Sequence, residues 1–439
     1  MIFQKLRAWF FKTTAARLLV LGFALVILAG ALLLWLPISH NPGHSISFLD
    51  ALFESTSAVC VTGLTVVSPG DTFNLFGRIV MAILIQIGGM GVVLMGITLI
   101  IIAGGRVGFK TRYLFIQAQN LSGGYTGLMK VASLIIRITF TIEAGGALLL
   151  WLLLMKYFDP LRAFGHACFL SISAFNNAGF DVFHGSASLI PYGDNFLFCT
   201  VITWLVIIGG FGFLSMIDLC RCRFHWRKLS LTTKIALFMT VVLLIGGTIL
   251  LKWTTGMTWL EAWTQSVIAR TAGFATYPMS LFSQGALLIF IVLMFIGASP
   301  NSTGGGIKTT TAFVLVLKAF SSSAGHDEDS AFDRKVTDLD ISKASTVLFF
   351  GLTVVLISTI LVCTAEPGCN LGEVLVEVTS AFATVGSSMG ITSTLGTFSR
   401  IIIILDMFIG RLGTITIANL LVTRKEKLAH FTEESVLIG

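Results

Sequence analysis

Four short, mostly apolar segments with one glycine each are the part of this sequence best suited to chemistry. They span residues 57–64, 173–180, 267–274 and 380–387, and their glycines are Gly63, Gly179, Gly273 and Gly386. Each segment lies between two long hydrophobic runs. A loop at membrane depth is costly because its backbone N–H and C=O groups lack helical partners. Its fourfold repetition predicts that the four loops meet around one axis and form a cation filter.

The chemistry of such a filter is the replacement of water around an ion by backbone carbonyls, which bind without fixed charge and therefore release the ion again. Glycine best tolerates the backbone that points successive carbonyls the same way. A half-helix that ends at the loop directs its negative end at the ion. For a single copy, a turn or a helix-packing glycine remains an alternative. The predicted filter residues are Cys60, Val61, Thr62 and Gly63; Asn176, Asn177, Ala178 and Gly179; Arg270, Thr271, Ala272 and Gly273; and Ala383, Thr384, Val385 and Gly386.

The composition indicates a multispan membrane protein. Hydrophobic residues make up 55% of the 439 residues and charged residues only 12%, about half the charge of a soluble domain. The apolar run after the basic N-terminal segment (residues 1–17) is long enough to span a membrane, so we do not expect a cleavable signal peptide. The net charge of +7 does not indicate a nucleic-acid partner, because the basic residues lie beside the spans.

The hydrophobic runs follow a fourfold pattern of span, half-helix, glycine loop and returning span. A second glycine recurs in the returning spans, as Gly88, Gly209, Gly297 and Gly410, and such self-similarity indicates repeated structural units. The predicted fold is all-α and integral to the membrane, with eight full spans and four re-entrant loops around a central pore. The predicted units are an N-terminus (1–17), pore repeats at 18–103, 130–219, 232–317 and 344–422, a connection (318–343) and a C-terminus (423–439).

Charge placement predicts the topology and the role of three acidic residues. Basic residues concentrate in the segments that would place both termini in the cytoplasm. Asp50, Glu261 and Glu373 lie near the beginnings of half-helices. There the helix dipole favours them, so we expect helix anchors and not ion ligands.

The four loops, together with residues 297–309 (Gly-Ala-Ser-Pro-Asn-Ser-Thr-Gly-Gly-Gly-Ile-Lys-Thr), resemble the Trk/Ktr/HKT superfamily of potassium transporters, and within it the bacterial KtrB-type membrane subunits. The resemblance covers nearly the whole chain and places the family's filter glycines at the four loop glycines. It implies potassium transport in the bacterial cytoplasmic (inner) membrane, with a response to sodium. It also implies a homodimer with one pore per protomer, and a cytoplasmic ring of KtrA-type subunits that would bind the nucleotide, ATP or ADP.

The third returning span is interrupted at residues 299–308, where Pro300 and a glycine triplet cannot continue a helix. A nucleotide-binding loop is excluded, because Ile307 separates the glycines from Lys308 and no strand precedes them. A helix kink is one interpretation. The resemblance implies the other, an intramembrane loop that obstructs conduction beneath the filter. The predicted gate residues are Ser302, Thr303, Gly304, Gly305, Gly306, Lys308 and Arg411.

Two arginines lie at membrane depth, where a charge is usually paired or faces an aqueous cavity. Arg411 is expected to face the pore, where it would repel cations or hydrogen-bond to the broken loop; a structural side chain that reaches the interface is the alternative. Arg270 would oppose cations at the outer pore, so we expect it to turn sideways and brace its loop.

Other functions fit the sequence less well. Broken spans also occur in cation-coupled secondary transporters, but these often have inverted repeats, whereas the four units here share one orientation. A less selective monovalent-cation or ammonium pathway is a second alternative. An enzyme is not expected, because the histidines are dispersed and no nucleophile–base pair is evident.

Overall fold

The computed structural model describes residues 14–102, 107–118, 128–186, 188–325 and 328–413. The first repeat contains α1 (Ala15–Trp35), α2 (Phe48–Cys60), α3 (Pro69–Thr72), α4 (Leu75–Met90) and α5 (Val92–Ile102), and α6 (Phe109–Ala118) follows it. The second contains α7 (Leu128–Leu154), α8 (Pro160–Phe175), α9 (Phe196–Phe211) and α10 (Phe213–Arg221). The third contains α11 (Leu231–Thr255), α12 (Trp259–Ile268), α13 (Gln284–Phe295) and α14 (Thr309–Ser323). An antiparallel hairpin of β1 (Ser330–Ala331) and β2 (Arg334–Lys335) precedes the fourth, with α15 (Asp338–Ala365), α16 (Leu371–Phe382) and α17 (Thr397–Leu412).

The predicted all-α architecture of four repeats is confirmed. Among the described residues, α1, α7, α11 and α15 are the single helices long and apolar enough to cross a membrane. Each opens one repeat and packs against the half-helix that follows it. In three repeats, a glycine of the span faces a serine of the half-helix: Gly30 and Ser55, Gly146 and Ser171, Gly247 and Ser266. Each serine hydroxyl donates to a main-chain carbonyl of the span, at 2.6–3.0 Å. The half-helices of the first three repeats are therefore fixed to their spans by short polar contacts.

The half-helices α2, α12 and α16 begin with capping boxes. The pairs are Ser47 with Asp50, Thr258 with Glu261, and Asn370 with Glu373. In each pair the acidic side chain accepts from the backbone N–H of the residue that caps the helix, which satisfies donors that the helix itself cannot. The prediction that these three acidic residues are helix anchors is confirmed.

The returning spans depart from the expected pattern. The sequence interpretation places an interruption only in the third, but α4 and α5 meet at 107° and α9 and α10 at 90°. Gly91 (φ 85°, ψ 139°) and Gly212 (φ 94°, ψ 131°) lie at these bends, in a conformation that residues with a side chain rarely adopt. Gly413 ends α17 with φ 82° and ψ 138°. Residues 414–422, expected to complete the fourth returning span, lie outside the described residues, as does the C-terminus (423–439).

Candidate ion pathway

The four glycine loops meet in a closed ring that follows the order of the repeats. In each loop, the place where a Cβ atom would sit on the glycine is filled by a carbonyl oxygen of the next loop. Gly63 faces Ala178 O, Gly179 faces Ala272 O, Gly273 faces Val385 O and Gly386 faces Thr62 O, at 2.1–2.5 Å from the ideal Cβ position. The fourth loop therefore returns to the first. No larger residue fits at these four positions without displacing main-chain atoms.

The backbone of each loop alternates in handedness. The four glycines have φ between 65° and 97°, and the residues two positions earlier, Val61, Asn177, Thr271 and Thr384, have φ between 51° and 79°. The residue between each pair has negative φ. This alternation turns successive carbonyls toward the same side, whereas carbonyls of an extended strand alternate. Positive φ in a β-branched residue costs on the order of 1–3 kcal/mol and persists only where its surroundings enforce it.

The N–H groups of the loops donate hydrogen bonds to carbonyls near the ends of the half-helices. In repeats 1, 2 and 4, the residue before the glycine donates to a serine carbonyl: Thr62 N to Ser57 O (2.8 Å), Ala178 N to Ser173 O (2.7 Å) and Val385 N to Ser380 O (2.8 Å). The serine hydroxyls of repeats 1 and 4 also accept from the glycine N–H, at 3.0 Å. The N–H groups of these loops therefore bond backward, to the ends of the half-helices. In the third loop, the carbonyl of Ala272 accepts from Phe274 N at 2.9 Å.

The glycines of the returning spans allow the half-helix ends to approach. In three repeats the missing Cβ faces the carbonyl of a residue at the end of the half-helix: Gly88 faces Val59 O, Gly209 faces Phe175 O and Gly410 faces Phe382 O, at 1.8–2.0 Å. Gly297 faces Gly305 O instead, at 2.2 Å. The recurrence of these glycines thus has a packing cause, and the third repeat departs from it because its own broken span fills the space.

Two buried glutamates that the sequence interpretation missed connect the half-helices to the chain beyond the ring. Glu54 and Glu377 each precede their loop glycine by nine residues, and both are 0% exposed. Glu54 accepts from Val66 N at 2.8 Å and Val67 N at 3.3 Å. Glu377 accepts from the hydroxyls of Ser388, at 2.7 Å, and Thr392. The equal spacing of nine residues between each glutamate and its loop glycine is the sequence signal that could have identified them.

The Asn176 side chain bonds to helices behind its loop. Its Nδ2 atom donates to Gln86 Oε1 and to Glu143 Oε1, both at 2.9 Å. These partners come from α4 and α7, so the amide joins repeats 1 and 2. The Oδ1 atom faces Gly89 of α4 and has no hydrogen-bond partner among the described residues.

The interruption of the third returning span is a loop of residues 296–308 between α13 and α14, which excludes a simple helix kink. The missing Cβ of Gly304 faces Thr271 Oγ1 at 2.1 Å, and that of Gly305 faces Thr384 Oγ1 at 2.3 Å. Thr303 Oγ1 donates to a carbonyl at the end of α8 at 3.4 Å. The loop therefore lies directly against loops 2, 3 and 4 of the ring.

Two basic side chains hold this broken loop. The Arg411 guanidinium donates to the carbonyls of Thr303, Gly88 and Gly89. Lys308 Nζ donates to Gly304 O at 2.6 Å, and Ser302 Oγ donates to Ser299 O at 2.6 Å. Of the roles expected for Arg411, the structure contains the hydrogen bond to the broken loop. These contacts, from side chain to carbonyl, hold the half-buried arginine against the broken loop and the first returning span.

Arg270 does not show the expected brace at its Nε atom. The residue is 7% exposed, and Nε has no hydrogen-bond partner among the described residues. The neighbouring Thr271 Oγ1 instead donates to the side-chain amide oxygen of Asn177, at 3.1 Å, and so connects loops 2 and 3.

Two contacts between acidic side chains and a basic or imidazole side chain join the repeats outside the ring. Arg400 donates to Asp50 Oδ1 at 2.5 Å, between repeats 4 and 1. His184 Nδ1 lies 2.6 Å from Asp71 Oδ1, between repeats 2 and 1. The hydroxyl of Ser68, the N–H of Gly185 and the His184 ring lower the pKa of Asp71 to about 2.

Comparison with known proteins gives consistent matches over the chain. The family model TrkH, described as a cation transport protein, matches residues 14–251 and 224–430. The chain is 34% identical to the Ktr system potassium uptake protein D of Bacillus subtilis, over 97% of each chain. It is 36% identical to the Ktr system potassium uptake protein B of Vibrio alginolyticus, over 96% of this chain and 94% of the other.

A third relative is the potassium/sodium uptake protein NtpJ of Enterococcus hirae, 33% identical over 98% of each chain. The fold is similar to the crystal structure of the potassium transporter TrkH from Vibrio parahaemolyticus. That match has a TM-score of 0.76 at 19% identity and covers 94% of this chain and 86% of the other.

Proposed function

The chain belongs to the TrkH family of cation transport proteins, which are ion transporters and not enzymes, and we propose that it takes up potassium through the ring of its four glycine loops. The observation that carries the proposal is the closed ring in which the missing Cβ of each loop glycine faces a carbonyl of the next loop. The names of three relatives, which describe potassium or potassium/sodium uptake, support potassium as the ion.

Ion binding would use the main-chain oxygens of the sixteen predicted filter residues. Rings of carbonyls match the hydration of a potassium ion and leave it weakly enough bound to exit. The C-terminal ends of the four half-helices add partial negative charge near the ring. Glu54 and Glu377 would fix the chain beyond the ring on two sides, so that the carbonyls keep their spacing.

The broken loop and its two basic side chains would form the gate. Residues 302–306 lie against the ring. Arg411 joins Thr303 to the carbonyls of Gly88 and Gly89 in α4, and Lys308 bonds to Gly304 within the loop. Two positive charges below a cation site also oppose its passage. Opening would then require the loop to leave Thr271 and Thr384 and the Arg411 contacts to break.

Regulation would come from outside this chain. Two relatives are named as components of a Ktr system, which supports the existence of partner components. The chain would form a homodimer that associates with KtrA-type subunits carrying ATP or ADP. Both termini would face the cytoplasm of a bacterium, with the chain in its inner membrane, and sodium would stimulate uptake. The boundaries of the four repeats remain predictions.

A less selective monovalent-cation pathway is the second candidate. Only the fourth loop keeps Thr-Val-Gly, whereas the second and third contain Asn-Ala-Gly and Thr-Ala-Gly. A wider range of accepted ions would follow if the unlike loops give unequal carbonyl positions.

Expression in a bacterium that lacks its own potassium uptake systems tests the proposal. We expect growth at low potassium and uptake of radioactive rubidium, and competition by potassium more than by sodium. Equal competition by sodium would favour the less selective pathway. Absence of rescue and of rubidium uptake, with the protein present in the membrane together with a cytoplasmic partner subunit, would refute the proposal.

A further inference from the structure

A small cavity beside the third glycine loop contains two buried polar groups without partners. Its volume is about 10 Å³, and it lies between α9, α11 and the end of α12. Arg270 and Thr240 line it, and the remaining lining residues are apolar or glycine. Among the described residues, neither Arg270 Nε nor Thr240 Oγ1 has a hydrogen-bond partner. A buried polar atom without a partner costs free energy, so an occupant that accepts hydrogen bonds is expected.

The chemistry of the cavity favours a negative occupant. Nε–H of arginine is a donor only, and the threonine hydroxyl can donate as well. No carboxylate lines the cavity, and no ion pair among the described residues includes Arg270. An arginine buried at membrane depth without a counter-charge is unfavourable, and such residues are usually paired. A volume near that of one water-sized sphere admits a single atom and not a polyatomic anion such as phosphate.

Because Arg270 lies in a glycine loop, an anion bound beside it would change the charge at the filter. The residues equivalent to Arg270 in the other loops are Cys60, Asn176 and Ala383, all uncharged. The third half-helix alone therefore carries a positive charge at its C-terminal end, where it opposes the partial negative charge that favours a cation. A negative ion beside Arg270 would offset this charge at the filter.

We propose that Arg270 and Thr240 form an internal site for a monatomic anion, chloride in the cell, which neutralises the charge of the third loop. Binding of the anion does not depend on the proposed function. Only its effect on transport rests on potassium uptake through the ring.

Replacement of chloride by bromide tests binding without any transport measurement. Crystals of the full-length protein in bromide should show an anomalous peak within hydrogen-bonding distance of both Arg270 Nε and Thr240 Oγ1. The Thr240→Val variant should lose the peak. A water in the cavity, or no density, in the wild-type protein would overturn the proposal.

Rubidium uptake into proteoliposomes tests the effect of the bound anion on transport, at anion concentrations lower than those in the crystals. With chloride on both sides, the wild-type KM for rubidium should be about tenfold lower than with gluconate on both sides, as removal of a nearby charge predicts. Thr240→Val should have the higher KM in both media. Thr248→Val is the matched control, because the Thr248 hydroxyl on the same helix donates to Leu244 O, and it should keep the chloride response. A chloride-independent wild-type KM would refute the effect on transport, whereas an absence of uptake in both media would refute the proposed function instead.

Discussion

Replacement of Gly63 by alanine tests the ring against a control that shares its backbone strain. Gly63 has φ +97° and Gly43, in the loop after α1, has φ +85°. A Cβ on Gly63 would lie 2.3 Å from Ala178 O, whereas a Cβ on Gly43 has no neighbour within 4 Å. Both substitutions therefore incur the conformational cost of positive φ, roughly 1–3 kcal/mol. Only Gly63→Ala adds a clash with main-chain atoms.

The size of the extra effect follows from that contact. Overpacking of a close-packed site costs about 1–3 kcal/mol, and the clashing atom is a carbonyl oxygen that cannot rotate away. If about 2 kcal/mol of this cost appears as lost ion binding, the KM for rubidium rises by about 30-fold. For Gly43→Ala we expect an unchanged KM, with at most a lower melting temperature.

The assay is the concentration dependence of rubidium uptake into proteoliposomes containing each purified variant. Size-exclusion profiles of the two variants establish that both are folded. A KM for Gly63→Ala within twofold of the wild-type value would refute the reasoning, because it would mean that the first loop does not contribute to the ion site.

Three further predictions concern the proposed gate, the buried glutamates and the contact between Asp71 and His184. Arg411→Gln should raise the maximal rate of rubidium uptake about tenfold or more, with little change in KM. The reason is that the charged hydrogen bonds from Arg411 to carbonyls, which stabilise the closed loop, contribute about 1.5–3 kcal/mol each. An unchanged rate would exclude Arg411 from the proposed gate. Glu54→Ala should lower the free energy of unfolding by about 2–4 kcal/mol, since the N–H groups of Val66 and Val67 lose their acceptor. Glu54→Gln should recover part of this loss. The measurement is chemical denaturation of both variants, and an unchanged free energy of unfolding for Glu54→Ala would show that the reasoning is wrong. Asp71 has its pKa lowered to about 2 in the folded protein, so its contribution is fully present above its unfolded pKa, near 4, and is lost as pH falls toward 2. The difference in melting temperature between wild type and Asp71→Asn should thus be small, constant from about pH 7 to 5, and absent near pH 2; a difference that grows on acidification would contradict the assignment.

The sequence identified the ring because each loop glycine is required twice, for its positive φ and for the carbonyl that lies against it. Both requirements fall on the same residue in each of the four loops, so the glycine pattern can be recognised from the sequence alone. The positive φ of Val61, Thr271 and Thr384 was not predictable, since β-branched residues disfavour that region. There, hydrogen bonds that the loop N–H groups donate to the half-helix ends, together with packing between loops, override the local preference.

The bends of the first two returning spans could have been found. Gly91 and Gly212 each end a Gly-Gly-x-Gly run, but glycine inside an apolar span also serves close helix packing. The earlier glycines of these runs do have that packing role, as Gly88 and Gly209 show. Hydrophobicity alone does not distinguish a packing glycine from one that ends a helix, because both leave the apolar run unbroken.

Rubidium bound to the protein tests the central claim most directly. An anomalous difference map from crystals grown in rubidium should show a peak on the axis of the ring, close to the carbonyl oxygens of Thr62, Ala178, Ala272 and Val385. Potassium should displace it. Rubidium bound elsewhere along the pathway, with no density on the ring axis, would contradict the account.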